Sequence, residues 1–531
     1  MHERGKLRLK KFYFHPVTMF IVLLFVTMFL SWILSLFETQ ATYNTINTNT
    51  KELEPVLITI ENMLSFDGLK FIISDAAKNF LSFAPLGSLL ISLIGLTVAE
   101  GTGFIETLTR RHISKMPKFL FTFIVIFVST ISSLINEVGY TILIPLIALI
   151  YFMNNRNPIL GIVTAFCGVS FGYGVSIFVG SMEISLLSYT KDAAKLIDET
   201  MHIALTSNLF FIIAASIILS IVGTVVIEKI IAPRIGKYKK EEESSQTEKY
   251  HSFDLEDEEQ RQIEQDKYEK RGLRHALIVS IIFGIFFIYS LIPGLPSSGM
   301  LLDLKENAYV NQLFGDNAYF QDGFTYLVSL FFVTTGIAYG IGSKSIKNDK
   351  NIIENASKNF NNIGQIFILI FVAAQFIAVF RKSNIGPVIT SWLATALEHT
   401  AFSGIPLIIT SLIMIAISNL ILTSAANKWL IFSPVVVPMF MQSNISPQFA
   451  QIVMRAGDSM TKGFTPLMAS FVIFIGYLNV YNLNKTKPYT IRGSLALITP
   501  YFLIISLSWV LLIVLWYLIG LPIGPGVLPT I

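Results

Sequence analysis

The chain has 531 residues, of which 53% are hydrophobic and only 14% are charged, and its formal net charge is +4. Ordinary soluble domains carry roughly 25% charged residues, so this composition excludes a soluble fold and indicates a membrane protein. The single cysteine, Cys167, excludes an intrachain disulfide and a thiolate metal site, and it makes redox chemistry an unsuitable function.

Apolar segments recur along the whole chain and predict its membrane spans. A helix needs about 20 mostly apolar residues to cross the hydrocarbon core. Nine segments satisfy this length, at 16–37, 79–104, 158–182, 205–231, 275–293, 323–343, 360–400, 448–478 and 495–520. The first lacks a small-residue cleavage site before the polar stretch that follows it, so we predict a retained span rather than a signal peptide.

Two further apolar segments, at about 118–154 and 405–443, are too long for a single span. Each has polar residues near its middle: Ser132, Ser133, Asn136 and Glu137 in the first, and Ser418, Asn419, Ser424, Asn427, Lys428 and Trp429 in the second. We predict two re-entrant helical hairpins, bent near 136–137 and 427–428. The predicted fold is an all-α polytopic membrane protein with nine transmembrane helices and these two hairpins.

The distribution of Lys and Arg predicts the orientation, because both accumulate in cytoplasmic loops. In the nine-span arrangement the basic loops fall on one side, which predicts a cytoplasmic N-terminus and an external C-terminus in a bacterial inner membrane.

A charged segment, 237–274, separates an N-terminal half (1–236) from a C-terminal half (275–531). It is typical of a polar helix or a disordered linker. We interpret it as a solvated cytoplasmic connection, with a regulatory surface as the alternative.

An internal similarity links the two halves. Positions 142–170 align without a gap to positions 431–459, and the Pro, Gly and Asn residues that interrupt helices coincide. The identical pairs are Ile142/Ile431, Pro145/Pro434, Asn155/Asn444, Pro158/Pro447, Gly168/Gly457 and Ser170/Ser459. Because the predicted hairpins enter from opposite sides, the pattern predicts two inverted repeats, which is typical of secondary transporters. A channel built from such repeats, and a similarity due only to apolar composition, are the alternatives.

The densest group of ionisable residues in a predicted span is Arg455, Asp458 and Lys462. Their spacing places them on one face of a helix that continues through all three. An ionisable side chain at the bilayer centre costs about 2.5–3.5 kcal/mol, so such residues indicate function. Two cations and one anion leave a positive charge that suits an anionic substrate. A self-neutralising structural triad is the alternative.

Glycines and prolines predict that the helices around this group are broken. Gly457, Gly463 and Pro466 flank the charged residues, and the first half has the corresponding run CGVSFGYGVS followed by Glu183. Broken helices free backbone groups, which must line a cavity or be buried in protein. Glu183 therefore belongs to the predicted site, unless it lies at the outer membrane surface.

Oxygen-bearing groups at the hairpin bends suit a hard monovalent cation or polar groups of a substrate, and the face of Trp429 suits stacking on an aromatic ring. We predict that Asp458, Lys462, Glu137, Asn136 and Ser418 take part in ion coupling, with sodium as a possible ion and no other cofactor. Asn and Ser in membrane helices also form interhelical hydrogen bonds, which is the structural alternative. Phosphate-binding loops and intramembrane protease motifs are absent from the sequence. Transport would then use an ion gradient, and no enzymatic activity is expected.

The chain resembles the aminobenzoyl-glutamate transporter (AbgT) family. The resemblance is carried by FAPLGSLL and GLTVAEGTGFIE (83–106), GYTILIPLIALIYF, QFIAVFRKSNIG, NKWLIFSPVVVPMF and ISPQFAQIVMRAGDSMTKGFTPLM. It implies a homodimer of nine-span subunits with two hairpins each. It also implies a substrate site formed by the second hairpin, the broken helix after it and the matching helix of the first repeat.

Seven positions match functional residues of that family: Asn419, Trp429, Pro447, Arg455, Asp458, Pro466 and Glu183. Glu183 and Glu137 stand where the family carries Asp, Ala426 replaces a small hydroxyl residue, and Lys462 replaces a neutral polar residue.

We predict an ion-coupled secondary transporter of p-aminobenzoyl-glutamate or related aromatic carboxylates. The alternatives are a proton-driven exporter of sulfonamide-type antimetabolites, a passive anion channel and a membrane scaffold or sensor.

Overall fold

The computed structural model describes residues 14–47, 50, 52–135, 138–238, 255–315, 317–360, 363–484 and 486–531. Within those ranges the chain forms 22 α-helices and one antiparallel pair of strands, β1 (Gln40–Ile46) and β2 (Leu53–Thr59). The helices before the charged segment are α1 (Pro16–Leu36), α2 (Phe66–Ser74), α3 (Ala76–Leu81), α4 (Pro85–Gly101), α5 (Phe104–Arg111), α6 (Lys118–Ile131), α7 (Val138–Met153), α8 (Pro158–Phe171), α9 (Ser181–Lys195), α10 (Leu209–Val226) and α11 (Ala232–Ile235). Those after it begins are α12 (Leu255–Leu291), α13 (Tyr309–Phe314), α14 (Tyr319–Ser343), α15 (Asp349–Phe360), α16 (Gly364–Lys382), α17 (Ile385–Glu398), α18 (Gly404–Asn419), α19 (Ala425–Gln442), α20 (Pro447–Thr461), α21 (Ala469–Val480) and α22 (Ile491–Ile519).

Seven helical stretches in the described ranges are long and apolar enough to cross a membrane. They lie in α1, α6 with its 3₁₀ extension, α10 with α11, α12, α14, α16 and α22, and the pair α4 and α5, bent by 69°, forms an eighth candidate. Helices α7, α8, α18 and α21 are apolar but shorter. These short helices occupy the predicted hairpins and broken spans. The chain is therefore predominantly helical and multi-pass, while the number of nine crossings stays a prediction.

The predicted span 360–400 is wrong as a single element. It forms two helices, α16 and α17, separated at Ser383 and Asn384. Asn384 has a φ of 60°, in the left-handed region that Asn tolerates better than most residues, so the helix cannot continue through it. The β1–β2 hairpin and the helices α2, α9, α13 and α15 were not predicted, because each is too short or too polar to satisfy the criterion for a membrane span.

The second hairpin consists of α18 and α19, with the break at Leu420–Ser424. The predicted bend at Asn427 and Lys428 was wrong. The Ser424 hydroxyl accepts a hydrogen bond from the Asn427 N–H at 3.3 Å and so caps α19, which places Asn427 and Lys428 in its first turn. In the first hairpin, α6 passes through a 3₁₀ turn to α7; Asn136 and Glu137, which we assigned to ion coupling, lie outside the described residues.

The two aligned segments have the same local structure. Helices α7 and α19 both end before a left-handed Asn, with a φ of 52° at Asn155 and 57° at Asn444. The next helices, α8 and α20, both begin at a proline, and both end at the predicted breaks, after Phe171 and Thr461. Cys167 lies in α8 and is fully buried. This correspondence supports the repeat hypothesis without establishing the orientation of the copies.

The charged segment is helical from Leu255 onward and is continuous with the apolar part of α12, which confirms the polar-helix alternative for this portion. Residues 239–254 lie outside the described residues. The polar end of α12 is held against α5 by ion pairs: Arg110 contacts Glu269 at 2.5 Å, and Arg111 contacts Asp266 at 2.5 Å and Glu269 at 2.8 Å.

Candidate substrate and coupling site

Helix α20 carries the predicted charged group into the interior of the protein. It begins at Pro447, whose missing N–H and fixed φ suit the first helical position. All 15 of its residues are buried, which is unusual for a helix that contains Arg455 and Asp458. Lys462 follows directly as the C-cap with helical dihedrals, so all three ionisable residues continue one helical path, as predicted.

Asp458 is the centre of the first charge cluster. Its Oδ1 lies 2.5 Å from the Lys428 Nζ, and its Oδ2 lies 3.3 Å from the Lys462 Nζ. The Lys428 ammonium also donates to the Leu422 carbonyl at 2.8 Å and to the Asn419 side-chain oxygen. Asn419 in turn donates to the Asp458 carbonyl at 2.8 Å, so the second hairpin and α20 form one hydrogen-bonded unit.

The second charge cluster connects the two broken helices, which are α8 followed by α9 and α20 followed by α21. The Arg455 Nε donates to the Gly174 carbonyl at 2.8 Å, and its guanidinium forms an ion pair with Glu183. The Gly174 N–H donates to the Ser459 hydroxyl at 2.7 Å. A Cβ at Gly174 would lie only 2.5 Å from that hydroxyl oxygen, so this contact requires glycine. Glu183 is 4% exposed, so its side chain is buried within the protein.

Three buried cations and two buried anions make up the two clusters. The cations are Lys428, Arg455 and Lys462, and the anions are Glu183 and Asp458, so the formal sum of +3 and −2 is +1. The predicted triad of Arg455, Asp458 and Lys462 is therefore not self-contained, because Arg455 pairs with Glu183 and Asp458 gains Lys428. A surplus positive charge remains, as the sequence indicated.

A cavity of about 940 Å³ lies beside the clusters. All four interrupted elements contribute to its wall: Ile135 and Val138 from the first hairpin, Tyr173 from the first broken helix, Thr423 to Ala426 from the second hairpin, and Lys462, Met468 and Ala469 from the second broken helix. Of the predicted site residues that the structure describes, Lys462 alone lines this cavity. Its ammonium lies 3.7 Å from the centroid of the Tyr173 ring, a cation–π contact.

The other predicted site residues that the structure describes do not line the cavity. Pro447 begins α20, and Pro466 lies half-buried in the break that follows it. The Ser418 hydroxyl donates to the Ile415 carbonyl of its own helix at 3.0 Å. The roles of these residues in binding stay predictions. Lys428, which the sequence placed only among the polar residues of the second hairpin, belongs to the charge cluster. A charge in an apolar helix indicates a buried partner, because an unpaired charge there is costly.

Trp429 is fully buried, and its indole N–H donates to the Thr190 hydroxyl at 2.8 Å. The bond joins the second hairpin to α9. We expect Trp429→Phe and Thr190→Val each to lower stability by about 1 kcal/mol, because each removes the same buried hydrogen bond. In Trp429→Phe the Thr190 hydroxyl still donates to the Leu186 carbonyl at 2.9 Å. Thermal unfolding in detergent measures this, and the double variant should cost little more than either single one. Additive losses would show that the bond is not the shared cause.

The oxygen atoms around Asp458 do not fit a sodium ion in this conformation. Both carboxylate oxygens face ammonium groups, and the Asn419 side-chain oxygen accepts a hydrogen bond from Lys428. A hard cation would have to displace one of these ammonium groups before it could use the same oxygens.

Comparison with known proteins decides the family. The model of the AbgT putative transporter family matches residues 10–531. The chain belongs to this family. It is 30% identical over 518 residues to the p-aminobenzoyl-glutamate transport protein of Escherichia coli (strain K12), an alignment that covers 97% of this chain and 94% of the relative.

Two solved structures are similar to this AbgT member. The YdaH transporter of Alcanivorax borkumensis is 28% identical, with a TM-score of 0.47, and the match covers 96% of this chain and 100% of that one. MtrF of Neisseria gonorrhoeae, described within a class of antimetabolite efflux pumps, is 29% identical, with a TM-score of 0.47 and coverage of 97% and 98%. Family membership confirms that this AbgT chain is a membrane transporter and not an enzyme.

Proposed function

We propose that this AbgT protein is an ion-coupled secondary transporter of p-aminobenzoyl-glutamate or related aromatic carboxylates, acting in the bacterial inner membrane as a homodimer. The observation that carries the proposal is the position of Lys462. It belongs to a buried cluster with surplus positive charge, and it also lines the cavity where four interrupted elements meet. The name of the Escherichia coli relative supports the substrate class.

The cavity suits a ligand with an aromatic ring and carboxylate groups. Phe71, Phe83 and Tyr173 contribute aromatic wall, and Lys462 offers a cation beside Tyr173. A substrate carboxylate that reaches this ammonium competes with Asp458 for it, while Lys428 continues to neutralise Asp458. Substrate binding thereby changes the charge balance of a buried carboxylate, which is a means of coupling transport to proton movement.

We further propose that Arg455 and Asp458 meet the substrate in a second conformation, in which the cavity extends past Lys462. Their present partners are contacts between broken helices, and alternating access requires such contacts to change. The same clusters would then bind the substrate in one state and close its access path in the other.

Counterflow in proteoliposomes tests the function. Vesicles that contain the purified protein are loaded with unlabelled p-aminobenzoyl-glutamate and diluted into the labelled compound. A carrier accumulates label transiently because internal substrate stimulates exchange, whereas a channel does not. Absence of both binding and counterflow would overturn the proposal, and counterflow of sulfonamides alone would favour the exporter.

The coupling ion follows from the ammonium groups around Asp458. We expect proton gradients to drive transport, because Lys428 and Lys462 already occupy the positions that a sodium ion would need. Lys462→Asn removes one ammonium and leaves an amide, so sodium should stimulate the variant more than the unmodified protein. Uptake with imposed sodium and pH gradients measures this. If the unmodified protein required sodium and ignored the pH gradient, proton coupling would be wrong.

A further inference from the structure

Three charged side chains at the cavity lie on the side of the β-hairpin. Arg381 and Lys382 form the end of α16, and Glu61 follows β2. The Lys382 Nζ lies 3.1 Å from the Glu61 Oε2, so this pair is neutral. The Arg381 guanidinium has no carboxylate within ion-pairing distance among the described residues. Its charge is therefore not neutralised by a direct contact.

The backbone around Arg381 is held in place by contacts with the β-hairpin. The Asn384 side chain donates to the Thr59 carbonyl at 3.1 Å, and the Glu61 N–H donates to the Ser383 carbonyl at 3.1 Å. The Ser383 hydroxyl donates to the Phe380 carbonyl at 2.7 Å. The turn after α16 therefore has a defined position, and the base of the Arg381 side chain shares it.

Helix electrostatics alone account for a cation in the last turn of α16, since the C-terminus carries partial negative charge. They do not account for two neighbouring cations of which only one has a carboxylate partner. The only other acidic residue of the described cavity wall is Asp322, which is not within ion-pairing distance of Arg381. The cavity thus has cations at two places, Lys462 and Arg381.

We propose that Arg381 binds the side-chain carboxylate of a glutamate-conjugated substrate and so distinguishes dicarboxylates from monocarboxylates. The inference rests on the proposed function. A volume of about 940 Å³ lies near the upper end of ordinary ligand pockets, which suits a ligand with charged groups at separate points. A guanidinium binds a carboxylate through two parallel hydrogen bonds, which gives geometric selectivity that an ammonium lacks.

The experiment compares two ligands and three variants of the full chain. p-Aminobenzoyl-glutamate and p-aminobenzoyl-glutamine have nearly the same shape, but the second has no charged side chain. Binding to purified protein is measured for the unmodified chain, Arg381→Gln, Arg381→Lys and the matched control Lys382→Gln. The control removes the same charge from the adjacent residue, whose ammonium is paired with Glu61.

We expect Arg381→Gln to weaken binding of the glutamate compound by roughly 3- to 10-fold and to leave binding of the glutamine compound unchanged. Arg381→Lys should recover only part of the loss, and Lys382→Gln should preserve the preference for glutamate. Equal weakening of both ligands, or equal loss of preference in the Lys382 variant, would overturn the subsite and leave the proposed function standing. Failure of the unmodified protein to bind either compound would instead overturn the proposed function.

Discussion

Asp458→Asn is expected to abolish transport, with a loss of roughly 100-fold or more. The carboxylate is fully buried and neutralises two ammonium groups, Lys428 at 2.5 Å and Lys462 at 3.3 Å. The amide keeps the shape of the side chain but leaves both cations without their anion. Removing one partner of a buried pair costs about 3–5 kcal/mol of stability. Uptake and thermal unfolding, measured on the same preparation, report the two effects.

A charge-compensated variant separates folding from transport. Lys428→Met combined with Asp458→Asn removes one cation and one anion, so the local charge of +1 is unchanged. We expect much of the lost stability to return in this double variant, while transport stays absent. If Asp458→Asn alone transported at the normal rate with the normal pH dependence, Asp458 would have a purely structural role.

Arg455→Lys should reduce transport by about tenfold or more, because a lysine cannot reproduce the planar fork. Arg455 donates to the Gly174 carbonyl at 2.8 Å and pairs with Glu183 at the same time, which joins the two broken helices. A single ammonium reaches one of these groups at a time. If Arg455 also meets the substrate carboxylate, as proposed, the affinity for substrate should fall together with the rate.

Glu183→Gln is the matched control for Arg455. It removes the charge of the partner and keeps the guanidinium, so we expect slower turnover with largely unchanged affinity. Direct binding and initial rates of uptake separate these two quantities. Unchanged affinity in a well-folded Arg455→Lys variant would contradict the binding role and leave only the connection between the broken helices.

The sequence was informative where the backbone itself is interrupted. Gly172 directly follows the last residue of α8, and Gly463 lies two residues after the last residue of α20. The matched Pro158 and Pro447 begin these helices, as the repeated pattern predicted. Proline restricts the backbone and glycine frees it, and both act locally. Their effects can therefore be predicted from the sequence alone. The charge group on α20 was visible for a similar reason, since ionisable residues are rare in apolar segments.

The sequence suggested the pairing of Asp458 with Lys462, but the charge partners that other helices contribute could not be predicted. Lys428 precedes Asp458 by 30 positions, and the bend was assigned to the wrong residues, so the pairing was hidden. Glu183 and Arg455 are 272 positions apart. The cavity wall also depends on tertiary packing: it includes Lys462 and Arg381 but excludes Trp429, although a tryptophan in a hairpin suggested ring stacking.

The single cysteine gives this protein a practical advantage for accessibility chemistry. Cys167 is 0% exposed within α8, so a water-soluble maleimide should leave the folded native chain unlabelled. Thiols introduced at Ala426 or Ser185, which both line the cavity, would then be the only targets in an otherwise unmodified background. Labelling rates from the two faces of oriented vesicles, with and without substrate, would show directly which side the cavity faces during the transport cycle.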